Sequence, residues 1–357
     1  MSDKVREWIR PEIREITAYH VPEASGLIKL DAMENPYTWP QSLVDAWTRR
    51  LGETTVNRYP DAAATTLKAR ISEVMEVPAE MSVLLGNGSD ELIQLITMAV
   101  AEPGRAILAP EPGFAMYRMI AAFTGIDFIS IPLREDFSLD MDAMREAILE
   151  QRPAVIFLAY PNNPTGNLFA EDEIREIIEL APGLVVVDEA YHAFAGASFM
   201  DRLPEYDNLL VMRTVSKLGL AGLRLGMVAG PQAWIQELDK LRLPYNINTL
   251  TQVTAEFALE HHEVFDEQTR RIIQDRESLH QALAEMEGIE PYPSRANFIL
   301  FRVPAGRATE IFEGLRDAGI LIKNLGANPG PLADCLRVTV GTPEENEAFL
   351  DALRKTL

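Results

Sequence analysis

The chain has 357 residues, 47% hydrophobic and 24% charged, a balance that fits a folded protein with one large and one smaller core or two similar ones. Its formal net charge of −21 argues against nucleic acid and anionic membrane surfaces as partners, so an anionic ligand would have to be drawn by a local cluster of cations. A single cysteine, Cys335, excludes an internal disulfide framework and fits a reducing cytoplasm, and no apolar run reaches the roughly 18 residues of a membrane-spanning helix. The opening MSDKVREWIRPEIREI lacks the apolar stretch of a secretion signal. His261 and His262 are adjacent and would diverge on a helix, so a metal site is not expected. The cations worth following are Arg58, Lys217, Arg224, Lys323 and Arg337.

The first thirty-odd residues read as an arm and a strand that joins a smaller unit, and residues 20–40 are expected to shape the mouth of a site. From about residue 80 to 245, short apolar runs alternate with amphipathic segments. RAILAP (105–110), IDFISI (126–131), AVIFLAY (154–160), LVVVDEA (184–190), LLVMRTV (209–215) and GMVAG (226–230) read as buried strands. Between them, DELIQLITMAV (90–100), MDAMREAILEQ (141–151) and EDEIREIIEL (171–180) carry helical periodicity. Near-continuous apolar strands alternating with helices predict an α/β architecture: a large domain with a mostly parallel sheet covered by helices. After LPYNIN (243–248) a long helical stretch begins, followed by strand–helix–strand–helix through NFILFRV, ATEIFEGLRDAG, LRVTVG and EENEAFLDALRKTL, a smaller α+β domain. The expected division is 1–45 as arm and part of the small domain, 46–245 as the large domain and 246–357 as the rest of the small one.

Candidate chemistry falls repeatedly at the carboxyl ends of predicted strands, where ligands gather in open parallel sheets. LLGNGSDELIQ sets a glycine-rich turn before a helix, with Ser89 or Asp90 available to cap it and free amides to seat an anion. It fails as a dinucleotide fingerprint, because Glu91 stands where the third glycine would be. AYPNNPTGN presents Asn162 and Asn163 on a loop stiffened by two prolines. LVVVDEAYHAF ends an apolar strand in Asp188 and Glu189, with Tyr191 beyond; a carboxylate there needs a cationic partner, either an ordinary salt bridge or a protonated heterocycle. TVSKLGLAGLRLG supplies Thr214, Ser216, Lys217 and Arg224. A lysine in apolar surroundings has its ammonium disfavoured and its amine made nucleophilic, while the hydroxyls and the guanidinium suit a phosphate.

Taken together and in order, GNGSDE, YPNNPTG, VVVDEAY and SKLGLAGLRLG resemble the fold-type I pyridoxal-phosphate (PLP) aminotransferases over essentially the whole chain. NRYPD (57–61), SRANFI (294–299) and CLRVTVGT (335–342) look like the histidinol-phosphate aminotransferase branch. The resemblance implies PLP as cofactor and Lys217 as the Schiff-base lysine, with Asp188 at the pyridine nitrogen and Tyr191 and Asn163 at the ring's phenolic oxygen. It implies that Ser89, Asp90, Thr214, Ser216 and Arg224 hold the cofactor phosphate and that Phe114 stacks on the ring. Tyr59 would reach the phosphate of a neighbouring subunit, implying a homodimer with shared active sites. Arg337, Lys323, Asn297 and Tyr19 would face the substrate, an anionic amino donor or oxo acceptor. Two departures stand out. Arg224 follows Lys217 by one residue fewer than in many relatives, and Lys323 stands where histidinol-phosphate enzymes usually carry a second arginine, keeping the charge without the bidentate fork. An aromatic amino-acid aminotransferase or a threonine-phosphate decarboxylase would show much the same pattern.

Overall fold

The computed structural model describes residues 3–18, 21–327 and 329–357. In chain order the strands are β1 (Ile28–Lys29), β2 (Ser82–Gly86), β3 (Ala106–Glu111), β4 (Asp127–Pro132), β5 (Val155–Ala159), β6 (Leu184–Asp188), β7 (Leu209–Thr214) and β8 (Gly226–Gly230), then β9 (Glu290–Pro291), β10 (Phe298–Arg302), β11 (Ile320–Leu321), β12 (Lys323–Asn324) and β13 (Cys335–Thr339). β2 to β8 form one sheet in the order β2-β8-β7-β6-β5-β3-β4. The pairs from β7 through β4 are parallel, and β8 runs antiparallel to both β2 and β7. This is the mostly parallel, helix-covered sheet that the alternating apolar runs predict.

Alternation along the strands sorts the core into two layers. Ile156, Leu158, Val185, Val187, Leu209 and Val211 point to one face, packing with Leu67, Ile71, Met144, Ile148, Ile174 and Ile177 from the covering helices. Val155, Phe157, Leu184, Val186, Leu210 and Met212 point to the other, against Leu92, Ile96, Tyr117, Ile120, Ile235 and Leu238. The same alternation continues to the strand ends: Asp188 and Thr214 follow the second face, whereas Glu189 and Arg213 follow the first. There Arg213 Nε donates to Glu189 Oε2 at 2.9 Å, and its other nitrogens donate to Met75 O and Ser198 Oγ. Both charges are buried, so the pair staples β6 to β7 immediately behind the site.

The smaller unit is an antiparallel sheet, β12-β13-β10-β9, joined by the parallel pair β1–β11. Phe298, Phe301, Leu336, Val338 and Phe349 fill its core. Cys335 is buried, as its apolar neighbours suggest. The helix Pro343–Thr356 opens with a reciprocal Thr342/Glu345 capping box and proline in its first turn. The helix Thr249–Glu260 packs on the large sheet's first face through Ala255, Ala258 and Leu259. The 23-residue helix His262–Ala284 then leads to the small unit, where Ile272, Leu279 and Leu283 enter the core.

Candidate active site

β2 ends at Gly86, directly beside Gly226 at the start of the antiparallel β8. Reversal of β8 therefore brings Arg224, two residues before it, to the edge where β5, β6 and β7 end. The loop reaches this point through two short 3-10 turns, Ser216–Leu218 and Ala221–Leu223, and Arg224 itself is left-handed at φ 49°. The shortened spacing is thus absorbed inside the loop. Neither Ser89 nor Asp90 caps the helix Ser89–Val100, contrary to expectation; its N-cap is Gly88 at φ 80°, with no side-chain cap. Asp90 instead accepts from Arg224 Nη2 at 3.3 Å. A Cβ on Gly88 would lie 2.7 Å from the Arg224 guanidinium, and one on Gly226 would lie 2.8 Å from the Gly88 carbonyl carbon, so both positions need glycine. Helix amides without a side-chain cap, a guanidinium and the hydroxyls of Thr214 and Ser216 thus face one concavity.

A single pocket is lined by Met33, Ser89, Asp90, Phe114, Asn163, Asp188, Tyr191, Thr214, Ser216, Lys217 and Arg224. Asp188 is 4% exposed. Its Oδ2 accepts from the Tyr117 hydroxyl at 2.8 Å and its Oδ1 from the Ala190 amide at 3.1 Å. Burial outweighs these donors and pushes the carboxyl up to about 7, so a cation placed against it is what would hold it ionised. Lys217 Nζ donates to Ala32 O at 3.1 Å. Burial, reinforced by the charge of Arg337, lowers this amine to about 8, within reach of the neutral nucleophilic form. Asn163 Nδ2 donates to the Tyr191 hydroxyl oxygen at 3.1 Å, which leaves the phenol's own proton free to be donated into the pocket. Burial raises Tyr191 above its ordinary range, so it stays protonated.

Of the residues expected to face the substrate, neither Arg337 nor Lys323 lines this pocket; Arg337 reaches its wall, with Nη1 donating to the lining residue Asn163 at Oδ1, while Nη2 donates to the Asp31 carbonyl at 3.1 Å. Lys323 stands directly across from Arg337 in the β12–β13 register, so both side chains leave the same face. Lys323 forms no ion pair among the described residues. Asn297 does not line the pocket; it is fully buried and donates to Met33 O at 2.9 Å, anchoring the 31–33 segment. Tyr59 is also outside the pocket within one chain, 80% exposed and stacked on Tyr245 with centroids 4.4 Å apart. Arg58 is exposed and away from the pocket lining. Tyr19 lies outside the described residues.

The sequence reading missed Tyr117, which looks like one more core aromatic on an amphipathic helix, and the carbonyls of Asp31 and Ala32, which have no side-chain signature. Asn35 falls in the 20–40 stretch expected to shape the mouth, where Glu34 and Asn35 also read as a helix-start turn. Its contacts were not readable; its amide donates to Leu218 O and Gln268 Oε1, tying the 31–38 segment to the lysine loop.

PLP is a planar heterocycle with a phosphate at one end and a ring nitrogen at the other. The pocket fits it on an observation independent of the motifs: the Ser89 hydroxyl oxygen is buried with no hydrogen-bond partner among the described residues, at the mouth of the uncapped helix. The chain matches the family described as aminotransferase class I and II over residues 25–353. It is 59% identical to histidinol-phosphate aminotransferase 2 of Nitrosococcus oceani, with 99% of this chain and 98% of that one covered. Identity to histidinol-phosphate aminotransferase 1 of Ralstonia nicotianae is 53%, covering 100% and 96%. The solved structure of histidinol-phosphate aminotransferase from Sinorhizobium meliloti in complex with pyridoxal-5'-phosphate shares the fold at a TM-score of 0.87 and 24% identity, covering 98% of this chain and 97% of that one. The chain belongs to the class I and II aminotransferases, on the branch of the histidinol-phosphate enzymes.

Proposed function

We propose that this chain moves an amino group between glutamate and imidazole acetol phosphate, giving 2-oxoglutarate and L-histidinol phosphate, with PLP as cofactor. The observation that carries the reading is the meeting of the Lys217 amine and the Asp188 carboxyl in one buried pocket. High identity to enzymes of that name along nearly the whole chain supports the choice of substrate.

When bound, PLP supplies an aldehyde that bonds to amines and a protonated ring that accepts electrons from the substrate's amine-bearing carbon. Lys217 is the amine proposed to bond to it at rest and, once released, to take the proton from that carbon and return one in the reverse direction. Asp188 would hold a proton on the ring nitrogen. Tyr191, oriented by Asn163, would donate to the ring's phenolic oxygen. Phe114 would cover the ring face, and Ser89, the Asp90 amide, Thr214, Ser216 and Arg224 would hold the phosphate. Arg337 and Lys323 form the anion site that would accept a carboxylate of glutamate and the phosphate of the other partner in turn, with Asn297 supporting the wall and Tyr19 on the same side.

We further propose a homodimer in which Tyr59 enters the partner's site. Its 80% exposure, its stacking on Tyr245 and the exposure of Val56 and Leu243 nearby in sequence support a covered surface there. A cytoplasmic setting is consistent with one cysteine and with no helix of the described residues being long and apolar enough to cross a membrane. We also propose residues 1–45, 46–245 and 246–357 as the domain division, the helix Thr249–Glu260 belonging to the last segment in sequence while packing on the large sheet.

The assay is direct: purified protein with glutamate and imidazole acetol phosphate, compared with aromatic oxo acids. Turnover of the first pair should exceed the second by orders of magnitude. Preference for the aromatic acids, or release of carbon dioxide from threonine phosphate, would overturn the assignment.

A further inference from the structure

A buried tyrosine carries a hydroxyl that phenylalanine would spare the core, so its presence calls for a partner. Tyr117 lies in the first turn of the helix Met116–Thr124, is 2% exposed, and does not line the pocket. Its partner is Asp188, at 2.8 Å. The direction of that bond is fixed by packing. The Tyr117 ring stacks on Phe157 of β5 with centroids 4.8 Å apart and planes 13° from parallel. Phe114 meets it edge-on at 5.5 Å and 84°, and Phe114 does line the pocket. One ring therefore braces both the residue proposed to cover the cofactor and the carboxylate proposed to face its nitrogen. Because a carboxylate accepts about four hydrogen bonds, the Tyr117 hydroxyl and the Ala190 amide leave lone pairs on Asp188 available to the pocket.

We propose that Tyr117 is a positioning residue that holds Asp188 as an oriented carboxylate for the cofactor's ring nitrogen. The inference rests on the reading of this pocket as a PLP site. A donor to the ionised form opposes the effect of burial on Asp188. The charged and titratable groups around Asp188 are Tyr117, Asp90 from the helix Ser89–Val100, Glu189 beside it, Tyr191 beyond it, and Lys217 and Arg224 in the same pocket. Asp90 and Glu189 both resist ionisation of Asp188, and Arg213 offsets Glu189. Tyr117 and the Ala190 amide are the hydrogen-bond donors that favour it.

The test is equilibrium dialysis of the full-length protein against PLP from pH 5 to 9, for the parent, Tyr117→Phe and Asp188→Asn, with fold followed by thermal unfolding. In the parent, affinity should fall on the acid side as Asp188 takes up a proton. Tyr117→Phe should bind like the parent at high pH, with its acid limb displaced upward by about one pH unit, so that PLP binds roughly tenfold more weakly on that limb. Lys217 is common to both proteins, so the displacement isolates Asp188. Site-specific 3-fluorotyrosine at 117 keeps the ring in place, strengthens the donor and should move the limb the other way. Coincident limbs, or a loss equal at every pH, would overturn the role of Tyr117 while weak binding by Asp188→Asn leaves the pocket intact. Parent-like binding by Asp188→Asn at all pH would instead overturn the PLP site itself.

Discussion

The two ends of the pocket are built differently. The proposed cofactor end takes Asp188, Tyr191, Thr214, Ser216 and Lys217 from one stretch of chain, at the ends of adjacent strands locked by parallel pairing and by the Arg213–Glu189 staple. The proposed substrate end lies beyond the pocket's own lining and draws on Arg337 and Lys323 from the small sheet and the carbonyls of Asp31 and Ala32 from a segment far away in sequence. The first is rigid because strand register leaves it no freedom. The second depends on hydrogen bonds that join the two sheets; Arg337 is tied through Asn163 to Tyr191, so it is at Lys323 that substrate preference can change with least disturbance of the chemistry.

The harshest test of the first end is Lys217→Ala. Removing both the covalent anchor and the proton carrier should lower turnover by more than ~10⁴-fold, the upper range for a general base alone. Borohydride reduction of the parent with PLP, followed by peptide mapping, should place the label on Lys217. A label elsewhere would dissolve the distinction between the ends altogether.

The staple sharpens the comparison next. Arg213→Met strands the buried Glu189 carboxylate, which also accepts from Ser198 and the Phe199 amide, and should cost about 3–5 kcal/mol in denaturant unfolding. Pairing it with Glu189→Met should recover most of that loss, because an apolar pair of similar volume removes the unmatched charge. A double variant as unstable as the single one would mean that the rigidity behind Asp188 comes from elsewhere.

Arg337→Ala probes the joint between the ends. It removes the donor to Asn163, which orients Tyr191, as well as the proposed grip on substrate. Both half-reactions should therefore suffer, with kcat/KM falling about 10²–10³-fold for glutamate and for the phosphorylated partner. Loss confined to KM, with kcat untouched, would show that the link through Asn163 to Tyr191 carries no catalytic consequence.

How far these ends could be read in advance follows from the same contrast. Apolar runs from 105 to 230 gave six strands of the large sheet to within about two residues, because strands buried on both faces leave an unbroken signal. The direction of β8 was not readable, since periodicity carries no polarity, and β2 was absorbed into the glycine-rich turn that follows it. Two-residue strands such as β11 and β12 are too short for any period to show. At the site, side chains in a compact motif were recognisable and are brought together, whereas Arg337 and Lys323 lie outside the pocket lining and Asn297 donates to Met33 O. Main-chain acceptors at 31 and 32 were invisible because any residue could supply them. Tyr117 was hidden by its own packing: its hydroxyl matters, yet its ring reads as core.

The mildest change bears on the substrate end alone. Lys323 and Arg337 leave the same face of the small sheet as cross-strand neighbours, and like charges so placed repel unless an anion sits between or beyond them. A phosphate with two charges relieves that repulsion more than a carboxylate does. Lysine meets it as a point charge, and arginine would add a planar fork of donors matched to phosphate geometry. Lys323→Arg should therefore lower KM for imidazole acetol phosphate by up to about tenfold, leaving kcat close to the parent and shifting the KM for glutamate, whose carboxylate the same site accepts, in the same direction by a smaller factor. Lys323→Ala should raise the same KM by a similar factor. If both substitutions moved the glutamate half-reaction instead, Lys323 would belong with the carboxylate, and the phosphate would have to be held by Arg337 and residues outside this sheet.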